Sequence, residues 1–248
     1  RLEKRWQICG LSSIIGSMKS LNEDLKTGQF KQIYLLYGEE AYLKKLYKNR
    51  FIKAMVPEGD TMNFSAFEGK SINPKEIIDL AETLPFFADR RVILIENSGF
   101  FKNACEELAE YLPQVAPATH FIFVEDEVDK RSKMYKAAKA SGRIVEFLPQ
   151  TEELLTRWIL GRLKREGKNI TGSVMQLFLT KTGTDMGNID RELEKLLCWA
   201  IEHPAELAAM HDDCRALYER YYSKEAFART LTTAVKELTE KVEQLNNK

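Results

Sequence analysis

The first residues that could do chemistry follow an apolar run at 33–37, where a nucleotide-binding α/β protein carries its phosphate-binding loop. Such a loop needs several glycines, whose backbone N–H groups wrap the phosphates, and a lysine followed by serine or threonine. The segment here contains a single glycine, Gly38, followed by Glu39 and Glu40, and it lacks a Gly-Lys-Ser/Thr motif. Both carboxylates suit the positive N-terminal end of the helix that the next residues predict. The sequence therefore predicts a degenerate phosphate loop that binds no nucleotide.

Two later apolar runs also end in acidic residues, the first at Glu96 and the second at Glu125, Asp126 and Glu127. One interpretation is a magnesium site like that of nucleotide hydrolases, in which carboxylates hold the metal beside the phosphates. The other is that the ends of strands meet solvent, where acidic residues are common. Because no phosphate loop supplies a partner for the metal, the residues favour the second interpretation. We predict neither a metal site nor a cofactor.

Histidines and cysteines complete the reactive side chains: His120, His203 and His211, with Cys9, Cys105, Cys198 and Cys214. None of the histidines lies in a recognisable motif with a serine, a cysteine or a paired carboxylate. Cys105 and Cys198 fall on apolar helix faces, where a thiol usually packs in the core. The cysteines are far apart and form no CxxC motif, which favours reduced thiols over a disulfide framework or a zinc site. No intrinsic catalysis is expected.

The composition is typical of a soluble globular protein and limits its partners. The 248 residues contain 37 Lys and Arg against 37 Asp and Glu, so the formal net charge is zero. A neutral balance argues against autonomous, charge-driven binding to nucleic acid or to anionic membranes, but it allows a subunit that meets DNA inside a larger assembly. No apolar run approaches the roughly 18–20 residues of a membrane span. We expect a cytoplasmic protein without a membrane partner.

The elements that must position these residues alternate along the first part of the chain. Short apolar runs at 33–37, 62–67, 91–96, 120–124 and 144–147 predict strands, and amphipathic segments between them predict helices. The run at 62–67 alternates with period two, which indicates a strand with one wetter face. Strands separated by helices are typical of an α/β fold with a mainly parallel sheet. Beyond Pro149 the strands stop, and helices are predicted at 151–165, 173–181 and 187–200.

Changes of composition along the chain predict four segments. Residues 1–17 are interpreted as an extension, because a pattern typical of a natural N-terminus begins at Met18. Residues 18–148 are predicted to form the α/β domain, and residues 149–202 a small helical domain. Residues 203–248 are predicted to form a helical tail, whose apolar stripe consists of Ala226, Leu231, Val235, Leu238, Val242 and Leu245.

The segment Leu84-Pro85-Phe86-Phe87-Ala88 contains two adjacent phenylalanines and precedes the apolar strand that begins near Val92. Two neighbouring rings on a short turn cannot both point into one core, so at least one is expected to project. An exposed aromatic pair is costly unless it contacts a partner. The alternative is a loop that folds back over the edge of the sheet. The residues alone leave both interpretations open.

Four segments together resemble a known family: Ile33–Leu43, Leu84–Asn97, Phe123–Arg131 and Gly187–Leu196. In order and spacing they are similar to the delta subunit of bacterial DNA polymerase III, over residues 18 to about 201. The resemblance implies a clamp-loader subunit with an AAA+-type fold that has lost ATP binding, in which residues 149–202 are the lid-like domain. It also implies that Phe86 and Phe87, supported by Leu84, insert into a pocket on the sliding clamp.

The function that the resemblance implies is that of a non-catalytic subunit of the polymerase holoenzyme, which as a whole is a nucleotidyltransferase. Such a subunit binds and opens the sliding clamp for loading onto primed DNA during replication, while other subunits handle ATP. The implied partners are the clamp (beta), the gamma/tau and delta prime subunits, and primed DNA within the complex.

The tail departs from the family, which continues into a helical collar domain where only residues 203–248 remain here. Residues 204–226 are instead similar to the final helices of retaining glycosyltransferases with two Rossmann domains. An alternative is therefore a glycosyltransferase-related or chimeric protein, although residues 31–150 lack the expected Gly-rich loop and Glu-x₇-Glu pattern. A third alternative is an AAA+ protein that hydrolyses ATP itself.

Overall fold

The computed structural model of the protein describes residues 18–221 and 223–246. The chain divides into two compact units, residues 1–190 and residues 191–248, and each is described on its own. The predictions for residues 1–17, which include Cys9, lie outside the described residues. The expected boundary between residues 148 and 149 stays a prediction.

The first unit is built on a five-stranded sheet in which every strand runs parallel to its neighbours. The strands are β1 (Ile33–Tyr37), β2 (Phe64–Glu68), β3 (Arg91–Glu96), β4 (Thr119–Glu125) and β5 (Gly142–Glu146), in the order β2-β3-β4-β1-β5. Helix α1 (Lys19–Thr27) precedes the sheet, and the connections carry α2 (Ala41–Met55), α3 (Pro74–Ala81), α4 (Glu106–Tyr111) and α5 (Lys133–Ser141). The predicted α/β fold with a parallel sheet is confirmed.

The burial of the strands follows their position in the sheet. The three central strands, β3, β4 and β1, are buried at nearly every residue, as expected for strands that are covered on both faces. The edge strand β2 is only partly buried, which agrees with its period-two pattern. Phe101, Phe121 and Phe123 are fully buried in the core, and the ring centroid of Phe123 lies 5.1 Å from that of Phe101 and 5.6 Å from that of Phe121.

Helices α6 (Glu152–Arg165), α7 (Gly172–Thr182) and the beginning of α8 (Met186–Glu202) follow the sheet within the first unit. They lie within one or two residues of their predicted bounds. Trp158 of α6 packs edge-to-face on Tyr42 of α2, with ring centroids 5.6 Å apart. The buried guanidinium of Arg162 lies over the Trp158 ring and forms an ion pair with Asp190. The ring contact attaches α6 to the helix that follows β1, and the ion pair attaches α6 to the beginning of α8.

The second unit comprises the rest of α8 with α9 (Pro204–Tyr221) and α10 (Lys224–Asn246). Ser223 caps the N-terminal end of α10, since its Oγ accepts a hydrogen bond from the Ala226 N–H at 3.1 Å. The predicted apolar stripe of the tail is not uniformly buried: Ala226 is buried, whereas Leu231 and Val235 are exposed. The side chains of the remaining stripe residues lie outside the described part of the structure. Of the helices that the structure describes, none has both the length and the apolar character that crossing a bilayer requires.

Candidate functional site

The carboxyl edge of the sheet, where the parallel strands end, carries the degenerate phosphate loop. Gly38 follows β1 with φ 117°, and a Cβ added there would lie 2.4 Å from the carbonyl oxygen of Phe147. The Glu40 N–H donates to the same carbonyl at 3.1 Å. Glu39 is exposed, and the Glu40 carboxylate accepts from the Tyr42 N–H at 3.2 Å, which caps α2 as predicted. The turn is therefore closed against the segment that follows β5.

Two lysines one helical turn apart on α2 bind the acids of the carboxyl edge. The ammonium of Lys44 is buried and donates to the Glu125 carbonyl oxygen at 3.3 Å and to the Asp126 carboxylate. Lys48 donates to both carboxylate oxygens of Glu96, at 2.9 and 2.8 Å. Sequence reasoning missed this pairing. The signal for it was the spacing of four residues between lysines on a predicted helix.

The Glu125 side chain corrects the interpretation that the acids at the strand ends simply meet solvent. Its buried carboxylate accepts hydrogen bonds from the Ser98 N–H at 3.1 Å, the Gly99 N–H at 3.2 Å and the Ser98 hydroxyl. Burial nevertheless raises the pKa of Glu125 above its ordinary value. Within 18–221 and 223–246, no three His, Cys, Asp or Glu side chains are grouped so that they could hold a metal ion.

The isolated histidine and thiols take structural positions. His120 is buried in β4, with its Nδ1 3.0 Å from the Lys31 carbonyl oxygen, and burial lowers the pKa of its ring. Cys105 is half-buried against the core, and burial raises the pKa of its thiol, which makes it a poor nucleophile. Cys198 is half-buried on α8. The expectation that His120 and Cys105 are structural is confirmed by these contacts.

The amino edge of the sheet, where β2 and β3 begin, carries the second candidate site. The 82–90 loop connects α3 to β3 there, and its apolar side chains face outward: Leu84 is 82% exposed, Phe86 56% and Phe87 95%. The two phenyl rings contact each other edge-to-face, with centroids 4.6 Å apart. The interpretation that the loop folds its phenylalanines back over the sheet edge is therefore wrong, and the predicted projection is confirmed.

A pocket of about 630 Å³ lies beside the exposed rings. Phe86 and Phe87 line one side, and the end of α2 with Met55 and the lead into β2 with Met62 line the rest. The charged side chains that line it have both signs: Lys53 and Arg90 are basic, and Asp60 and Asp89 are acidic. The exposed aromatic pair is thus continuous with a concave surface that carries side chains of both charges.

Two buried polar residues hold the backbone of the 82–90 loop. The Phe86 N–H donates to Asn63 Oδ1 at 2.6 Å, and Asn63 Nδ2 donates to the Phe86 carbonyl oxygen at 2.9 Å. The Arg91 guanidinium donates to the carbonyl oxygens of Thr83, Leu84 and Met62, at 3.1, 3.3 and 3.3 Å. Sequence reasoning did not assign a role to Asn63, and no local pattern pointed to it.

Both edges of the sheet lie within one segment that matches a known protein family. Residues 34–148 match the family model described as DNA polymerase III, delta subunit. This segment, a little under half of the chain, is similar to that family. The resemblance seen in the sequence is confirmed for it, and the segment contains Gly38, Glu39, Glu40, Leu84, Phe86 and Phe87.

Two curated proteins and one solved structure are similar over more of the chain. DNA polymerase III subunit delta of Bacillus subtilis is 26% identical over 217 residues, which cover 83% of this chain and 62% of that protein. The probable DNA polymerase III subunit delta of Aquifex aeolicus is 26% identical over 184 residues, or 69% and 51% of the two chains. The structure of a Bacillus subtilis DNA clamp loader delta protein superimposes with a TM-score of 0.60 and 25% identity, and it covers 73% and 57%.

These similarities include the fold of the chain, but they cover only part of the length of the relatives. The expected fold class, a parallel α/β sheet followed by helices, is confirmed, and the clamp loader delta structure shares this fold. The chain spans between half and two thirds of the length of the curated proteins it matches. The resemblance of residues 204–226 to glycosyltransferase helices stays a prediction.

Proposed function

We propose that this chain acts as a delta-type component of a clamp loader and binds a sliding clamp through the 82–90 loop. The observation that carries the proposal is the exposure of Leu84, Phe86 and Phe87 on one loop within the delta-family segment. Large apolar side chains that project together are costly in water and gain free energy when a partner covers them. Aromatic anchors of this kind are enriched among the residues that dominate binding.

The work proposed for the loop is to open the clamp as well as to hold it. A ligand shifts an equilibrium only by its differential affinity for the two states, so the loop must bind better to a clamp with one interface open. The gamma/tau and delta prime subunits and primed DNA are proposed as further partners within the complex. The neutral charge of the chain suits a first contact with a protein rather than with DNA.

ATP has no role in this proposal at the subunit itself. A phosphate would need free backbone N–H groups and a free lysine after β1. Here the Glu40 N–H donates to Phe147, and the Lys44 ammonium is held by Asp126 and the Glu125 carbonyl. Energy from ATP would have to reach the clamp through other subunits.

The test is binding of the full chain to a bacterial sliding clamp, with and without ATP. We expect Phe86→Ala/Phe87→Ala to weaken the affinity by about 30-fold or more, which corresponds to about 2 kcal/mol. The matched control is Val174→Ala/Leu177→Ala, which removes two exposed apolar side chains from α7. The control should bind like the wild type, and ATP should change none of the affinities.

Two results would contradict the proposal. Equal affinities for the wild type and the double phenylalanine variant would remove the loop as the binding element. A rise in affinity or in melting temperature on addition of ATP would show that the carboxyl edge still binds nucleotide.

A further inference from the structure

The 82–90 loop combines exposed side chains with an immobilised backbone. Its apolar groups reach into solvent, yet the backbone atoms of Thr83, Leu84 and Phe86 are bound to buried side chains from outside the loop. Loops that only connect elements rarely need such anchors, because water satisfies their backbone groups. The hydrogen bonds to the loop backbone therefore indicate a role for the loop beyond joining α3 to β3.

Arg91 supplies the first anchor from the first position of β3. Its side chain is buried, and its three hydrogen bonds all go to backbone carbonyl oxygens: Thr83 and Leu84 of the loop, and Met62 of the lead into β2. The planar guanidinium can span several acceptors in a fixed geometry, which a lysine ammonium cannot. Arg91 thus ties the loop entrance to the start of the neighbouring strand.

Asn63 supplies the second anchor from the residue before β2. Its amide makes a two-point contact with the Phe86 peptide, since Oδ1 accepts from the N–H and Nδ2 donates to the carbonyl oxygen. Nδ2 also donates to Asp60 Oδ2 at 2.8 Å, so the amide has one orientation that satisfies all partners. The hydrogen bonds that the Asn63 side chain and N–H donate to Asp60, followed by that of the Met62 N–H and then by the charge of Arg91, lower the pKa of the Asp60 carboxyl.

The two anchors leave Phe87 in a conformation that an isolated chain avoids. Its φ is 47°, in the left-handed region where residues other than glycine are uncommon. Such backbone strain persists only where the surroundings fix it, and it concentrates at binding sites. The neighbouring Phe86, held by Asn63, also sets the edge-to-face contact of the two rings.

We propose that Asn63 and Arg91 are positioning residues, which hold the Phe86–Phe87 pair in its binding conformation before the partner arrives. The inference rests on the proposed clamp binding and adds how its affinity is reached. A loop that is already ordered loses little conformational entropy on binding, whereas a mobile loop must be ordered at that moment. If the competent conformation is only a fraction of the ensemble, the apparent affinity falls by that fraction.

The test compares the full-length wild type with Asn63→Ala, which removes both bonds to Phe86 and leaves Leu84, Phe86 and Phe87 intact. We expect the affinity for a sliding clamp to fall about tenfold, with the loss in the association rate and an unchanged dissociation rate, because the bound complex keeps its contacts. Hydrogen exchange of the Phe86 amide in the free protein should become faster. Arg91→Lys, which keeps the charge, is a second variant and should give a smaller loss of the same kind.

The matched control is Asn22→Ala, which removes an amide that bonds to Tyr47 and Arg50 instead of the loop. It should keep the wild-type association rate even if it lowers stability. Equal affinities of Asn63→Ala and the wild type would overturn the inference and leave the proposed function standing. A faster dissociation rate would show that Asn63 contacts the clamp directly, which also overturns it. A wild type that binds no clamp would remove the proposed function and this inference together.

Discussion

At the carboxyl edge of the sheet, Lys44 and Lys48 bind the acidic ends of β4 and β3, whereas at the amino edge Leu84, Phe86 and Phe87 stand in solvent. The carboxyl edge is where open α/β sheets usually bind their ligands. Here Lys44, Lys48, Glu96 and Glu125 form hydrogen bonds with other groups of the same chain. The exposed apolar surface lies at the opposite ends of the same strands. The same sheet therefore has a closed turn at its carboxyl edge and exposed apolar side chains at its amino edge.

The difference predicts how substitutions at the two edges should behave. Changes at the carboxyl edge disturb buried contacts and should act on the free energy of unfolding. Changes to the side chains of the 82–90 loop remove surface that water already reaches, so they should act on binding alone. Three measurements of stability test whether the two edges differ in this way.

Among changes at the two edges of the sheet, the largest effect is expected at Gly38. A Cβ there meets the Phe147 carbonyl oxygen at 2.4 Å in a backbone conformation that favours glycine. Gly38→Ala should lower the free energy of unfolding by about 3 kcal/mol, the upper end of the range for a strained residue. Gly59→Ala is the matched control, since Gly59 has φ 85° but no atom within 4 Å of an added Cβ. Its cost should be about 1 kcal/mol. Equal costs in urea unfolding would show that the turn after β1 is not closed.

A smaller effect is expected from the protonation of Glu125. Its pKa is raised by burial, so between the ordinary and the raised value the folded state binds more protons than the unfolded state. Stability contributed by this group therefore falls as pH rises through that window. Relative to Glu125→Gln, the wild type should lose free energy of unfolding as pH rises above the ordinary glutamate pKa of about 4.3, with measurements made at about pH 4 and about pH 7.

Glu127→Gln provides the control with the opposite sign. The exposed Glu127 has its pKa lowered by a hydrogen bond from Lys102, so its contribution is lost as pH falls. Unfolding curves of all three proteins at the two pH values decide the point. A wild type that gains stability over Glu125→Gln with rising pH would mean that the carboxylate is better solvated than its burial indicates.

The smallest effect on stability is expected at the amino edge. Leu84→Ala/Phe86→Ala/Phe87→Ala should change the free energy of unfolding by no more than about 0.5 kcal/mol, because these side chains are already exposed. Phe101→Ala is the buried counterpart and should cost about 3–5 kcal/mol. A large destabilisation in the triple variant would show that the loop packs on the protein and that the two edges do not differ in kind.

The features that the sequence predicted correctly are those that depend on local patterns of residues. Apolar runs and turn residues located the five strands, and the presence of only one glycine after Tyr37, without a Gly-Lys-Ser/Thr motif, predicted a degenerate phosphate loop. The adjacent rings of Phe86 and Phe87 predicted projection by steric reasoning. None of these steps required knowledge of which strands are neighbours.

The contacts that were missed all join residues distant in sequence. Asn63 bonds to Phe86 because β2 and β3 are adjacent, and Lys44 reaches Asp126 because α2 packs beside the end of β4. Pairings of this kind depend on strand order, which the spacing of elements does not fix. The burial of Glu125 was hidden for the same reason, since its partners, Ser98 and Gly99, follow a different strand.

The position of the 82–90 loop at the head of β3 has a mechanical consequence. β3 lies between β2 and β4, and its ladders on both sides run in register from Arg91 or Val92 to Glu96. A pull on the loop along the strand loads these evenly spaced hydrogen bonds in shear, all at once, rather than one after another. If the proposed clamp opening puts tension on the loop, that tension passes into a strand that is hydrogen-bonded to a neighbour on each side.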